Sequence, residues 1–126
     1  MGQGKIPIRK SFFYAFSGIK TGILKERNMK IHCIMAVLVA ICGLIFHISR
    51  IEWCICLVLF GLVMSLELVN TAIEAVVDLV TEEYHPLAKT AKDTAAGAVL
   101  IASIMAAAAG LVIFVPKGLA FLKCLL

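Results

Sequence analysis

Residues 54–78 read CICLVLFGLVMSLELVNTAIEAVVD. The first half is the kind of run that crosses a bilayer. Without any break it then takes on Glu67, Asn70, Glu74 and Asp78. Placed on a helix at about 100° per residue with Glu67 at zero, Asn70 falls near −60°, Glu74 near −20°, Asp78 near +20° and Thr71 near +40°. Three carboxylates and an amide therefore share one narrow stripe, while Leu68, Val69, Ile73, Val76 and Val77 fill the rest of the circumference. Counting inward from Ile51, Glu67 lies roughly 24 Å along the helix, close to one edge of a hydrocarbon core. Glu74 and Asp78 reach the headgroups or pass them.

Two further apolar stretches, 31–49 and 95–115, join the one at 51–69. Each is near the roughly 20 residues that span a bilayer. They make the chain of 126 residues 62% hydrophobic, with a mean hydropathy of +1.02. So short a chain cannot cover three such helices with polar surface. The expectation is a single domain, 1–126, of all-α integral membrane class: an N-terminal amphipathic surface helix plus three transmembrane helices per subunit. The surface helix is expected at about 8–25, and the spans at about 28–49, 50–82 and 87–116.

Charge sets the orientation. Lys5, Arg9, Lys10, Lys20, Lys25, Arg27 and Lys30 precede the first span, and Lys89 and Lys92 lie between the second and third. Arg50, Lys117 and Lys123 fall on the other side. The positive-inside rule puts the N-terminus and the 81–94 connection on the cytoplasmic side of the membrane. The net charge of +4 is thus an orientation signal and not a nucleic-acid one. The first 30 residues have no separate apolar core and cleavage site of a signal peptide. Instead Ile8, Phe12, Phe16, Ile19 and Ile23 recur at steps of three and four, opposite Lys10, Ser17 and Thr21, the pattern of a helix lying in the interface.

Local signals mark the helix ends. Ser49 and Glu52 form a capping-box pattern, Trp53 suits an interfacial position, and Pro86 suits the first turn of the last helix. The five cysteines lie in or beside the apolar spans with no metal-site or disulfide spacing, and read as packing residues. His32 and His47 flank the first span as interface residues. Ala95, Ala96, Gly97 and the AAAAG at 106–110 permit close helix approach, which fits oligomerisation.

Ionisable residues at membrane depth normally mark a site or a pathway. Several carboxylates on one stripe are hard oxygen ligands, of the type Mg²⁺ takes while also holding phosphate oxygens. The stripe alone suits a proton or cation path equally well. Glu26, just before the first span, and Lys92 with Asp93, at the start of the third, belong to the same level. They bring a further acid and a lysine suited to phosphate.

ELVNTAIEAVVDLVTEEYHPLAKTAKDTAAGAVLIA, 67–102, closely resembles the prokaryotic diacylglycerol kinase family, and with GIK at 18–20 and Glu26 the resemblance covers nearly all of the chain after about residue 10. The resemblance implies a homotrimer that moves the γ-phosphate of ATP to the hydroxyl of a membrane lipid alcohol. It implies Glu67 as general base, Glu26 and Glu74 as Mg²⁺ ligands, and Asn70, Lys92 and Asp93 lining the nucleotide site. Glu83, Tyr84 and His85 would lie beside the adenosine, and Tyr14 would contact the nucleotide. Pro7 stands where some members carry arginine, with Arg9 and Lys10 following. KERNMKIH and EYHPLAKTAKD look like the Gram-positive branch, which implies undecaprenol as the acceptor, with diacylglycerol as the alternative. A transporter subunit is a more distant alternative, because residues 31–49 and 53–64 offer no polar path to the far side. A structural or regulatory subunit would not need Glu67 and Glu74.

Overall fold

A computed structural model describes residues 6–126; Lys5 of the basic N-terminal segment lies outside them. Four helices follow in order: α1 Ile8–Lys25, α2 Arg27–Ile45, α3 Arg50–Val80 and α4 Pro86–Leu125. The last three are long and apolar enough to cross a membrane. At 19, 31 and 40 residues they measure about 28, 46 and 60 Å. The protein is an all-helical integral membrane protein with an N-terminal helix beside three spans.

Helix α3 is the hub. It pairs along its length with α4 as an antiparallel hairpin and also packs against α2 and α1. Two glycines allow this. A Cβ on Gly22 would lie 2.5 Å from Cδ2 of Leu68, so α1 crosses α3 there with Met29 tucked beneath. A Cβ on Gly43 would lie 2.7 Å from the Trp53 ring, so α2 and α3 close together at the other end. Elsewhere the apolar side chains point outward. Phe12 and Phe16 on α1, Leu57 and Val58 on α3, and Leu100 and Ile101 on α4 are all more than half exposed, as lipid-facing side chains are. On α1, the expected apolar face carries no protein cover from Ile8 through Ile19.

The helix ends differ from the sequence expectation in instructive ways. Helix α2 stops at Ile45, not near 49. His47 adopts the left-handed conformation, φ 50°, and its N–H donates to Leu44 O while that of Ile48 donates to Gly43 O. That is a Schellman motif, closed by Ile48 packing onto Gly43. Ser49 and Glu52 form the expected capping box. Helix α3 ends at Val80, two residues early, because Thr81 turns extended and its hydroxyl takes the N–H of Glu83. Pro86 occupies the first turn of α4, with the Leu87 N–H capped by His85 Nδ1 at 3.2 Å. Helix α4 runs past Pro116 to Leu125. Proline removes one helix hydrogen bond, but the segment beyond it is anchored by Lys117 on Glu52 at 3.3 Å and Phe121 against Phe46.

Candidate active site between α2, α3 and α4

Because α3 takes both neighbours, α2 and α4 are left splayed at one end, and a cavity of about 550 Å³ opens between them. Helix α3 lends Glu67 and Asn70 to it. Helix α2 lends Asn28, Ile31 and His32, and one face of α4 contributes Asp93, Ala96, Gly97, Leu100 and Ser103. Ile31 and Leu100 are about half exposed or more, so the cavity opens on the lipid-facing surface.

Glu67 is only 2% exposed, the most enclosed charged side chain among the described residues. Its Oε2 has no hydrogen-bond partner, and neither has Asn70 Oδ1 or Ser103 Oγ. Asn70 Nδ2 donates to Glu74 Oε1 at 3.0 Å, one helical turn nearer the loop, so the amide holds the shallower carboxylate. A buried polar atom left unpaired costs about 1–3 kcal/mol. Three on one cavity are a liability that a ligand with matching donors and acceptors removes.

A second cavity, about 240 Å³, lies at the 81–85 connection. Glu83, Tyr84, His85, Lys92 and Asp93 line it together with Asp78. Lys92 Nζ reaches Asp78 Oδ1 at 2.5 Å, linking α4 to α3, and Asp93 pairs with Lys89 on its own helix. Asp93 borders both cavities. The single plane of converging groups read from the sequence is therefore two adjoining chambers with Asp93 at their junction.

Not every expected residue joins them. Glu26 sits at the break between α1 and α2, half-buried, with its backbone extended and its side chain capping neither helix. Tyr14 is exposed on α1 and stacks edge-on with Phe13. Neither lines a chamber of its own chain. No group of three His, Cys, Asp or Glu side chains stands within metal-holding reach among the described residues. The donor chemistry nevertheless fits a cation delivered with phosphates, since Mg²⁺ needs only one or two protein carboxylates beside phosphate oxygens and water. Glu74 has one oxygen engaged by Asn70 and accepts no other side-chain hydrogen bond.

Three lining residues escaped the sequence reading. His32 was expected merely at the interface, Asn28 was passed over within the KERNMKIH stretch, and Ser103 lies just past the 67–102 signature. A helical-face reading of α4 was the available signal, since Asp93, Gly97, Leu100 and Ser103 follow at steps of four, three and three. A polar path through the membrane is absent among the described residues. Beyond Ser103, toward the Trp53 end, lies a void of about 40 Å³ lined by Val39, Cys56, Leu59, Phe60, Ala106, Gly110 and Ile113.

Comparison with known proteins places the chain in a family. Residues 13–114 match the family described as prokaryotic diacylglycerol kinase. An undecaprenol kinase of Bacillus subtilis (strain 168) is 50% identical over 108 residues, which cover 86% of this chain and 88% of that protein. A diacylglycerol kinase of Synechocystis sp. is 44% identical over 84% of this chain and 61% of its own length. The diacylglycerol kinase of Escherichia coli (strain K12) is 33% identical over 79% of this chain and 81% of its own length. With a buried carboxylate at bilayer depth and this extent of likeness, the chain belongs to the prokaryotic diacylglycerol kinase family of membrane lipid kinases.

Proposed function

We propose that this kinase transfers the γ-phosphate of ATP to the hydroxyl of undecaprenol at the cytoplasmic face of the membrane, with Glu67 as the general base. The observation that carries the reading is the unpaired, buried Oε2 of Glu67 on a cavity that opens toward lipid. A base must come within hydrogen-bond reach of the proton it removes, and a lipid hydroxyl lives at that depth. The choice of undecaprenol rests on the 50% identity to the Bacillus subtilis enzyme. Diacylglycerol is the second reading, favoured by the relatives named for it.

Glu26 and Glu74 are the residues to hold Mg²⁺, with Asn70 fixing the Glu74 carboxylate. When bound, the ion neutralises charge on the transferring phosphate. Lys92 and Asp93 border the polar chamber where the phosphates are placed. Glu83, Tyr84 and His85 also line it and are the residues assigned to the adenosine. Tyr14 and Glu26 lie off their own chain's chambers, which suits a homotrimer in which a neighbouring copy completes each site. The cytoplasmic assignment follows from nine basic residues on the Glu67 side against three on the other.

The test is phosphate transfer from labelled ATP in mixed micelles, with undecaprenol and diacylglycerol at equal mole fraction. Mg²⁺-dependent labelling with kcat/KM at least about tenfold higher for undecaprenol is expected, a difference of about 1.4 kcal/mol in transition-state binding. A reversed or absent preference overturns the substrate assignment, and labelling that survives chelation overturns the ion.

A further inference from the structure

Thr21, Thr71 and Thr90 each donate their hydroxyl to the carbonyl four residues back, at 2.9, 3.0 and 2.9 Å. That back-bond is the usual resting place of a helical hydroxyl. Ser103 departs from it. Its Oγ is buried, makes no hydrogen bond, and belongs to the cavity that Glu67 and Asn70 line. It lies ten residues past Asp93 on α4, about 15 Å deeper along the helix. The wall between them is Ala96, Gly97, Val99 and Leu100, with no polar side chain.

An inventory of the three orphaned atoms identifies their complement. An ionised Glu67 only accepts, Asn70 Oδ1 only accepts, and the Ser103 hydroxyl is the one donor of the three. An alcohol carries one donor and two acceptor lone pairs. It can therefore donate to Glu67 and accept from Ser103 at once, satisfying both buried groups. A ligand with acceptors only, such as a phosphate oxygen, leaves Glu67 unpaired.

We propose that Ser103 is a substrate-contacting residue that holds the acceptor alcohol by donating its hydroxyl proton to the alcohol oxygen. The proposal rests on the kinase reading and adds to it a contact outside the family's motif. In the transfer, the alcohol proton passes to Glu67 Oε2 and the alcohol oxygen bonds to the γ-phosphorus through its remaining lone pair. The bond from the γ-phosphorus to the bridging oxygen breaks, and ADP leaves with that electron pair. Ser103 keeps its own proton throughout and fixes where the oxygen sits.

The experiment measures KM for undecaprenol and for ATP separately in Ser103→Ala and Ser103→Thr, with the melting temperature alongside. Ser103→Ala is expected to raise the KM for the lipid about fivefold, the worth of one neutral hydrogen bond. KM for ATP should stay unchanged, the melting temperature should hold or rise because an unpaired buried hydroxyl is gone, and Ser103→Thr should restore the lipid KM. Should Ser103→Ala prove too unstable to assay, Ser103→Cys, of similar size with a weak donor, is expected to show the same rise. An unchanged lipid KM, a parallel rise in both KM values, or a rise that threonine does not restore overturns the contact. Glu67→Gln assayed in parallel separates the two levels. Lost transfer there with wild-type kinetics in Ser103→Ala defeats only the serine contact, whereas retained transfer defeats the base on which it depends.

Discussion

At its Trp53 end, the α3–α4 hairpin closes on a small core of Ile48, Cys56 and Ile113, with Val39, Phe46, Trp53 and Phe114 packed around it. Its polar groups there are matched. Ser49 Oγ accepts the Glu52 N–H, Glu52 Oε2 accepts the Ser49 N–H at 2.7 Å, and Lys117 reaches the same oxygen. At the Glu67 end the same two helices leave a cavity, and Glu67, Asn70 and Ser103 each carry a buried polar atom without a partner. One end has its polar groups paired, and the other leaves three unpaired, as the proposed ligand site would require. Families that keep function at a cost in stability show this division of labour.

The largest effect should come from breaking the unpaired end. Glu67→Gln keeps the shape and removes the base, so lipid phosphorylation should fall about 10²–10⁴-fold, read as labelled lipid product. Its melting temperature should hold or rise, because an uncompensated buried carboxylate is gone. A collapse of the fold would instead make Glu67 a structural residue and erase the contrast.

Gly43→Val attacks the paired end. Its side chain has to displace the Trp53 ring, which the glycine now touches, and overpacking of this kind costs about 1–3 kcal/mol. A lowered melting temperature with KM values intact in the folded fraction, followed by thermal unfolding and assay at low temperature, is the expected outcome. Ser49→Ala removes half of the capping box and should cost about 1 kcal/mol, again without moving KM. The smallest effect sharpens the comparison from the opposite direction. His47 holds a left-handed backbone at φ 50°, so His47→Gly should gain about 0.5 kcal/mol once glycine's own entropy cost is subtracted. A clear loss of melting temperature there would show that the His47 side chain, and not the turn geometry, holds α2 to α3.

Much of the site was legible in the chain. Glu67, Asn70 and Glu74 lie on one side of a helix by covalent geometry alone, and the Asn70–Glu74 hydrogen bond is that spacing realised. Asn28, His32 and Ser103 were not picked out, because neither the KERNMKIH stretch nor the face of α4 by itself says that they meet Glu67. They matter only where α2 and α4 diverge around α3. Likewise Asp78 reads from sequence as the outermost acid of the stripe, yet it is the partner of Lys92, fourteen residues away across the loop. The third span was expected to end near 116, but α4 continues to Leu125, with Phe121 and Lys117 finding partners on other segments.

The sequence by itself determined that three helices cross a membrane, that a fourth lies apolar face outward beside them, and which kinase signature they carry. Those properties depend on length, period and residue order, which the covalent chain enforces before any packing occurs. Only the tertiary structure decided which polar groups share a chamber and which side chains are spent on each other. That outcome depends on where Gly22 and Gly43 let helices approach, and so on where they must part.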